Sequence, residues 1–272
     1  MKKYVILVLA ALAVCSCVFS GVTVLKGNGV AVDTVIDVDG FNAVSLPAST
    51  DVVYKIAEGD RSVVLTCDEK LVDHYFIHVE DGILYADVKP GAYSVFTKVQ
   101  SVLTVCAPVL EGVTVTGSGD CTVIGPVSTD SRFYLKCSGS GDVSVSGRID
   151  CPEFTATTSG SGDISVGAVC CESSAGIRTT GSGDIDISAI AAQSVDISSS
   201  GSGDLSVEGI TADSINARTS GSGDIDLVCK DAGVVDARTS GSGDISLRGT
   251  ARSVQTAHSG SGDVLSGGLR IL

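Results

Sequence analysis

At 272 residues the chain can hold one large domain or two modest ones. Its formal net charge of −14 argues against nucleic acid as a partner, since phosphate binding needs clustered Lys and Arg. Trp is absent and every Tyr and Phe lies at or before Phe154, so any core beyond that point is built from Ile, Val, Leu and Ala. Such a core suits a narrow, repetitive cross-section.

The chain opens with the marks of export. Lys2 and Lys3 precede an apolar run from Tyr4 to Val14 that is too short to span a membrane. The run ends in Val14-Cys15-Ser16-Cys17, which resembles the lipobox of bacterial lipoproteins, where a small residue precedes the Cys that is lipidated. Ser16 fits that position, so Cys17 is the expected lipidation site and residues 1–17 the signal peptide. Cys15 follows the bulkier Val14 and is the poorer acceptor. The alternative is an ordinary signal peptide cut near Ser20. Residues 18–29 read as a tether. The expected location is the bacterial envelope, with the outer membrane as the anchoring partner through the N-terminal lipid.

Residues 30–112 read as a β-rich N-terminal cap. Asp51 to Ile56 and Ser62 to Thr66 are strands around the turn Glu58-Gly59-Asp60, and Tyr75 to Val79 and Ile83 to Val88 flank the hairpin signal Glu80-Asp81-Gly82. The aromatic residues of this region suit the covering of an open solenoid end.

Residues 113–272 are a repeat. Gly-Ser-Gly-Asp ends at Asp120, Asp142, Asp163, Asp184, Asp204, Asp224, Asp244 and Asp263, with spacings falling from 22 to 19 residues. The residue after each Asp is Cys121, Val143, Ile164, Ile185, Leu205, Ile225, Ile245 or Val264, and two residues later another apolar side chain follows. That alternation marks a strand with one buried face. A second strand precedes the next motif. In it Ile215, Ala217 and Thr219 share one face, as do Val235, Ala237 and Thr239, while Arg218 and Arg238 share the other. A single coil of ~20 residues cannot bury its own stripe, but stacking at ~4.8 Å does. The expected fold is all-β: a parallel β-helix or solenoid of about eight coils, right-handed by the general rule for parallel crossovers.

Equal spacing stacks the aspartates in a column, and their repulsion must be offset. The expectation is a structural turn, with each carboxylate accepting from N–H groups of its own turn and the flanking glycines at φ > 0. A Ca²⁺ ladder is the alternative, but one carboxylate and one hydroxyl per coil is thin for an ion that takes six to eight oxygens. No cofactor, metal site or catalytic residue is expected. Cys121 and Cys137 fall in frame with apolar positions and read as small buried hydrophobes. Cys151 could face Cys170 or Cys171 across adjacent coils.

Other chemistry is weakly signalled. Asp186 and Asp226 lie on the same strand position two coils apart, with Ser206 between them, and would be the carboxylates of a polysaccharide-active enzyme. His74 and His78 have helical metal spacing in a segment that reads as strand, and His258 is remote. One outward face carries Arg178, Arg218 and Arg238 beside Asp196, Asn216 and Asp236, and is expected to be a solvated face of paired charges.

Phe41-Asn42-Ala43-Val44 with the strand at Asp51, and the passage from Pro108 to Asp120, resemble the auto-transporter adhesin "head GIN" domain family of Bacteroidetes lipoproteins. The resemblance spans about residues 30 to 270. It implies a β-helical fold, an envelope location and a binding or adhesion role, and brings no catalytic residues. The expected partner is an envelope, glycan or protein ligand.

Overall fold

The computed structural model describes residues 23–91 and 93–272, so the expected signal peptide over residues 1–17 and its Cys17 lie outside the described residues. The chain is almost wholly strand. From Val143 onward each coil is a near-continuous strand bent around the rod, as in Ile164–Thr179, Leu205–Thr219 and Ile225–Thr239. Successive coils pair in parallel, with the register kept along the motif strands and shifted at irregularities between them. Ile164, Ile185, Leu205, Ile225, Ile245 and Val264 form one row. This is the parallel β-solenoid that the spacing predicts.

The alternation of the sequence sets what is buried. In the coil that begins at Leu205, the side chains of Leu205, Val207, Ile210, Ile215 and Ala217 all point inward and are buried. Each large aliphatic contributes about 1.5–3 kcal/mol by leaving water, so a coil holds only while its neighbours shield it. The rows thicken toward the N-terminus. Val235, Ile215, Val195 and Ala175 lead down to Phe154 and Phe133, whose rings stack 6.4 Å apart. In another row Val123 lies over buried Tyr54, whose hydroxyl donates to Val109 O at 2.6 Å.

The stack begins earlier than the repeat does. Ala43–Leu46 pairs in parallel with Gly112–Val115, and Asp51–Ile56 pairs in parallel with Cys121–Ile124. The boundary drawn at residue 113 is therefore crossed by ladder hydrogen bonds, and part of the region read as a cap is a further coil. The covering layer lies beyond it. Asp51–Ile56 and Ser62–Asp68 do not pair with each other, because Val102–Ala107 lies between them, parallel to the first and antiparallel to the second. Tyr75–Glu80 and Ile83–Val88 form the expected hairpin, with Asp81 and Gly82 at φ of 50° and 75° in the two-residue turn.

Residues 23–29, read as part of a tether, are pinned to the body. Thr23–Lys26 pairs in parallel with Tyr93–Phe96. Buried Asp68 then accepts from the N–H groups of Asn28, Gly29 and Lys70 and from the Thr97 hydroxyl, which clasps the chain entry to the cap. Burial pushes the Asp68 carboxyl up, but those four donors outweigh it and bring its pKa down to about 2.

Candidate functional site

The motif aspartates form one column, held differently from the expectation. Each Oδ1 accepts from the backbone N–H of the aspartate one coil further on, at 2.7–2.9 Å from Asp120 through Asp263. The donor belongs to the next coil, not to the same turn. The motif glycines are not at positive φ either. They are needed because the backbone above approaches too closely for a Cβ. The carbonyl of Gly201 accepts from both Ser222 N and Gly223 N, at 2.9 and 3.3 Å, which brings Gly221 directly over it. A Cβ on Gly221 would fall well inside contact distance of Gly201 O, and the same holds for Gly223 over Gly203.

Two parts of this column were missed in the sequence. The first is a ninth aspartate: Asp120 N donates to Asp51 Oδ1 at 3.0 Å, so Ala48-Ser49-Thr50-Asp51 is a degenerate copy of the motif. Its Ser and Asp were the available signal. The second is an internal row of hydroxyls. Thr158, Thr179, Ser199, Thr219 and Thr239 are buried, and each donates to the carbonyl of the second motif Gly, four residues ahead. Cys137 occupies the same row and its thiol donates to Gly141 O at 3.1 Å. The column leaves a cation one uncommitted carboxylate oxygen, Oδ2, per coil, far short of a calcium shell.

The outward face beside the column carries the basic residues. Lys136, Thr157, Arg178, Ser198, Arg218, Arg238 and Ala257 are successive rungs of one row. Only part of the expected charge pairing forms there. Arg238 makes a two-pronged bond to Asp236 of its own coil, at 2.8 and 2.9 Å. Asn216 donates to Asp196 at 2.9 Å. Arg178 and Arg218 have no carboxylate partner among the described residues, whereas Arg148, Arg248 and Arg252 on other faces pair with Asp150, Asp226 and Asp213. Alongside runs a row of exposed hydroxyls, Ser159, Thr180, Ser200, Ser220, Ser240 and Ser259. Between the two rows lies an open groove of about 480 Å³, bordered at one end by His258.

The other sequence candidates stay apart. Asp186 and Asp226 sit on one row with Ser206 between them, two rungs or ~9.6 Å apart. Burial, then the nearby charges of Asp184, Asp163, Glu208 and Asp204, raise the Asp186 pKa, while Asp226 pairs with Arg248 at 3.4 Å. His78 stacks between Phe76 and Tyr85, His74 ends the short helical turn Glu69–His74, and His258 lies near Asp263 at 3.9 Å. Cys121 and Cys137 are buried, as expected of small hydrophobes. Cys151 faces Cys171 rather than Cys170, and the two thiols share a hydrogen bond at 3.9 Å with no disulfide between them.

The sequence matches the family described as "Putative auto-transporter adhesin, head GIN domain" over residues 40–230 and 197–271. The chain belongs to that family. Solved structures similar to this head GIN chain include a "putative adhesin" from Parabacteroides distasonis, with a TM-score of 0.81 at 22% identity over 89% of this chain and 99% of that one. A "putative lipid binding protein" from the same organism gives 0.77 at 21%, covering 89% of this chain and 100% of the other. A "putative adhesin" from Parabacteroides merdae gives 0.76 at 20%, covering 89% and 99%. At these identities the likeness is one of fold. No curated protein matches the chain.

Proposed function

We propose that this head GIN protein is a non-enzymatic, lipid-anchored binding module of the bacterial cell envelope, most simply an adhesin. The observation that carries this reading is the groove of about 480 Å³ between the basic row and the hydroxyl row. Its hydroxyl side repeats from coil to coil, in Ser200, Ser220, Ser240 and Ser259, so it offers similar polar contacts along the rod axis. A surface of that kind suits a linear or repetitive ligand, for which each added contact is intramolecular once the first has formed.

The rigid scaffold supports the same role. Ladder hydrogen bonds, the aspartate column and the internal hydroxyl row fix each coil to the next, so the outward side chains are displayed with little ordering cost on binding. Family membership supports a binding or adhesion role at the cell surface or envelope. Lipidation at Cys17 would place the rod at the membrane, and residues 23–29, clasped by Asp68, would hold it close there. A screen of the purified chain against glycans and extracellular matrix proteins tests the reading. Saturable binding to at least one of them is expected; silence across the whole set contradicts it.

A further inference from the structure

The basic row has a period that the coils around it do not. Lys136, Arg178 and Arg218 occur on every second rung, with Thr157 and Ser198 on the rungs between. At ~4.8 Å per rung, the cations stand ~9.6 Å apart along the axis. Arg238 follows on the next rung but is already neutralised by Asp236. Three exposed cations at double the coil spacing, each separated by a hydroxyl, therefore stand on one face; Arg178 and Arg218 line the groove, and Lys136, its Nζ 5.2 Å from the centre of the Tyr134 ring, lies beyond the groove's end.

One pyranose residue of an extended glycan is close in length to one coil rise, and a disaccharide to two. We propose that this face is a binding track for an acidic polysaccharide carrying one carboxylate per disaccharide. The proposal rests on the reading of the face as a ligand surface. In it the carboxylates of alternate sugars meet Lys136, Arg178 and Arg218, and Arg guanidinium groups suit the two-pronged recognition of carboxylate. The sugar hydroxyls meet Thr180, Ser200 and Ser220, which both donate and accept. The net charge of −14 does not defeat this, because charges more than ~8 Å apart are largely screened at physiological salt. Local complementarity then governs binding.

The test uses the full chain at physiological ionic strength and three polymers. One alternates glucuronate with N-acetylhexosamine, one is polygalacturonate with a carboxylate on every sugar, and one is neutral dextran. The track predicts saturable binding of the alternating polymer, weaker binding of polygalacturonate and none of dextran. Arg178→Ser with Arg218→Ser should weaken the alternating polymer by about tenfold or more. Ser198 already occupies this row, so the double variant should fold, and an unchanged melting temperature checks it. Arg148→Ser and Arg252→Ser, on other faces, should leave binding unchanged. Absence of binding to the alternating polymer, equal binding of dextran, or an undiminished double variant overturns the track. If the chain still captures another ligand in the wider screen, the adhesion reading survives and only the track falls.

Discussion

The Oδ1 of Asp204 accepts a hydrogen bond from the backbone N–H of Asp224, 2.8 Å away and one coil further on. The same link joins every successive pair from Asp51 to Asp263, and it resolves the problem that a column of like charges poses. Adjacent carboxylates at ~4.8 Å repel by about 0.9 kcal/mol in water. A hydrogen bond to a charged group contributes about 1.5–3 kcal/mol. The bond acts against that repulsion at each rung and ties each coil to the next.

The glycines of the motif answer to close approach. Gly203→Ala would drive a Cβ into the carbonyl of Gly183, a backbone atom that cannot move aside without shifting its coil. We expect a loss toward the upper end of about 1–3 kcal/mol in urea denaturation. Gly267→Ala, with nothing within 4 Å of the added Cβ, should change stability by less than about 0.5 kcal/mol. Equal effects at the two sites would contradict the close-approach account.

The hydroxyl row inside the rod makes a prediction against packing. Thr219→Val keeps the volume but removes the donor to the Gly223 carbonyl, bonded at 3.1 Å, and should cost about 1–3 kcal/mol. Thr219→Ser keeps the donor and loses only a methyl group, so it should be the milder change. Equilibrium unfolding ranks the pair. Were core volume alone decisive, Val would be the better tolerated.

Acid should release the chain entry. The Asp68 pKa is lowered to about 2, against ~3.9 when unfolded, so the unfolded form binds more protons between those values. The contribution of the clasp is fully present above pH ~3.9 and is lost as pH falls toward 2. Protection of the Asn28 and Gly29 amides, taken relative to the intrinsic exchange rate at each pH, should therefore fall across that window. In Asp68→Asn it should be low at all pH values; a flat profile in the native chain would show that the clasp is not set by this carboxylate.

The proposed lipid anchor at Cys17 is open to direct test. Cys17→Ala should abolish incorporation of labelled fatty acid and move the protein from the membrane to the soluble fraction, while Cys15→Ala should change neither. The opposite pattern would transfer the acceptor role to Cys15.

What the sequence made legible follows from its periods. Two-residue alternation at Leu205 and Val207, and the recurrence of Asp every ~20 residues, specify buried rows and stacked coils, because both depend only on local spacing. What it hid depends on contacts between coils. Nothing within the Gly-Ser-Gly-Asp tetrapeptide says that the carboxylate reaches the next aspartate's N–H rather than its own turn, or that Gly203 is crowded by Gly183. Asp51 escaped notice because Ala48 and Thr50 replace the two glycines at the start of the stack. The basic track was half visible: Arg178, Arg218 and Arg238 were on one face by pattern, but the row reaches Lys136 only through pairings that span 20 or so residues each. Arg178 and Arg218 lack the ion pair of Arg238 because the position two residues earlier, Asp236 in that coil, is Gly176 and Asn216 in theirs.

The most direct test of the stacking account is residue-resolved amide exchange in Asp204→Ala. The account predicts that the Asp224 amide, whose acceptor has been removed, loses protection, while the Asp204 amide, still held by Asp184 Oδ1, keeps it. Loss of protection at Asp204 with Asp224 unaffected would mean that each carboxylate serves its own turn, and the coil-to-coil ladder described above would be wrong.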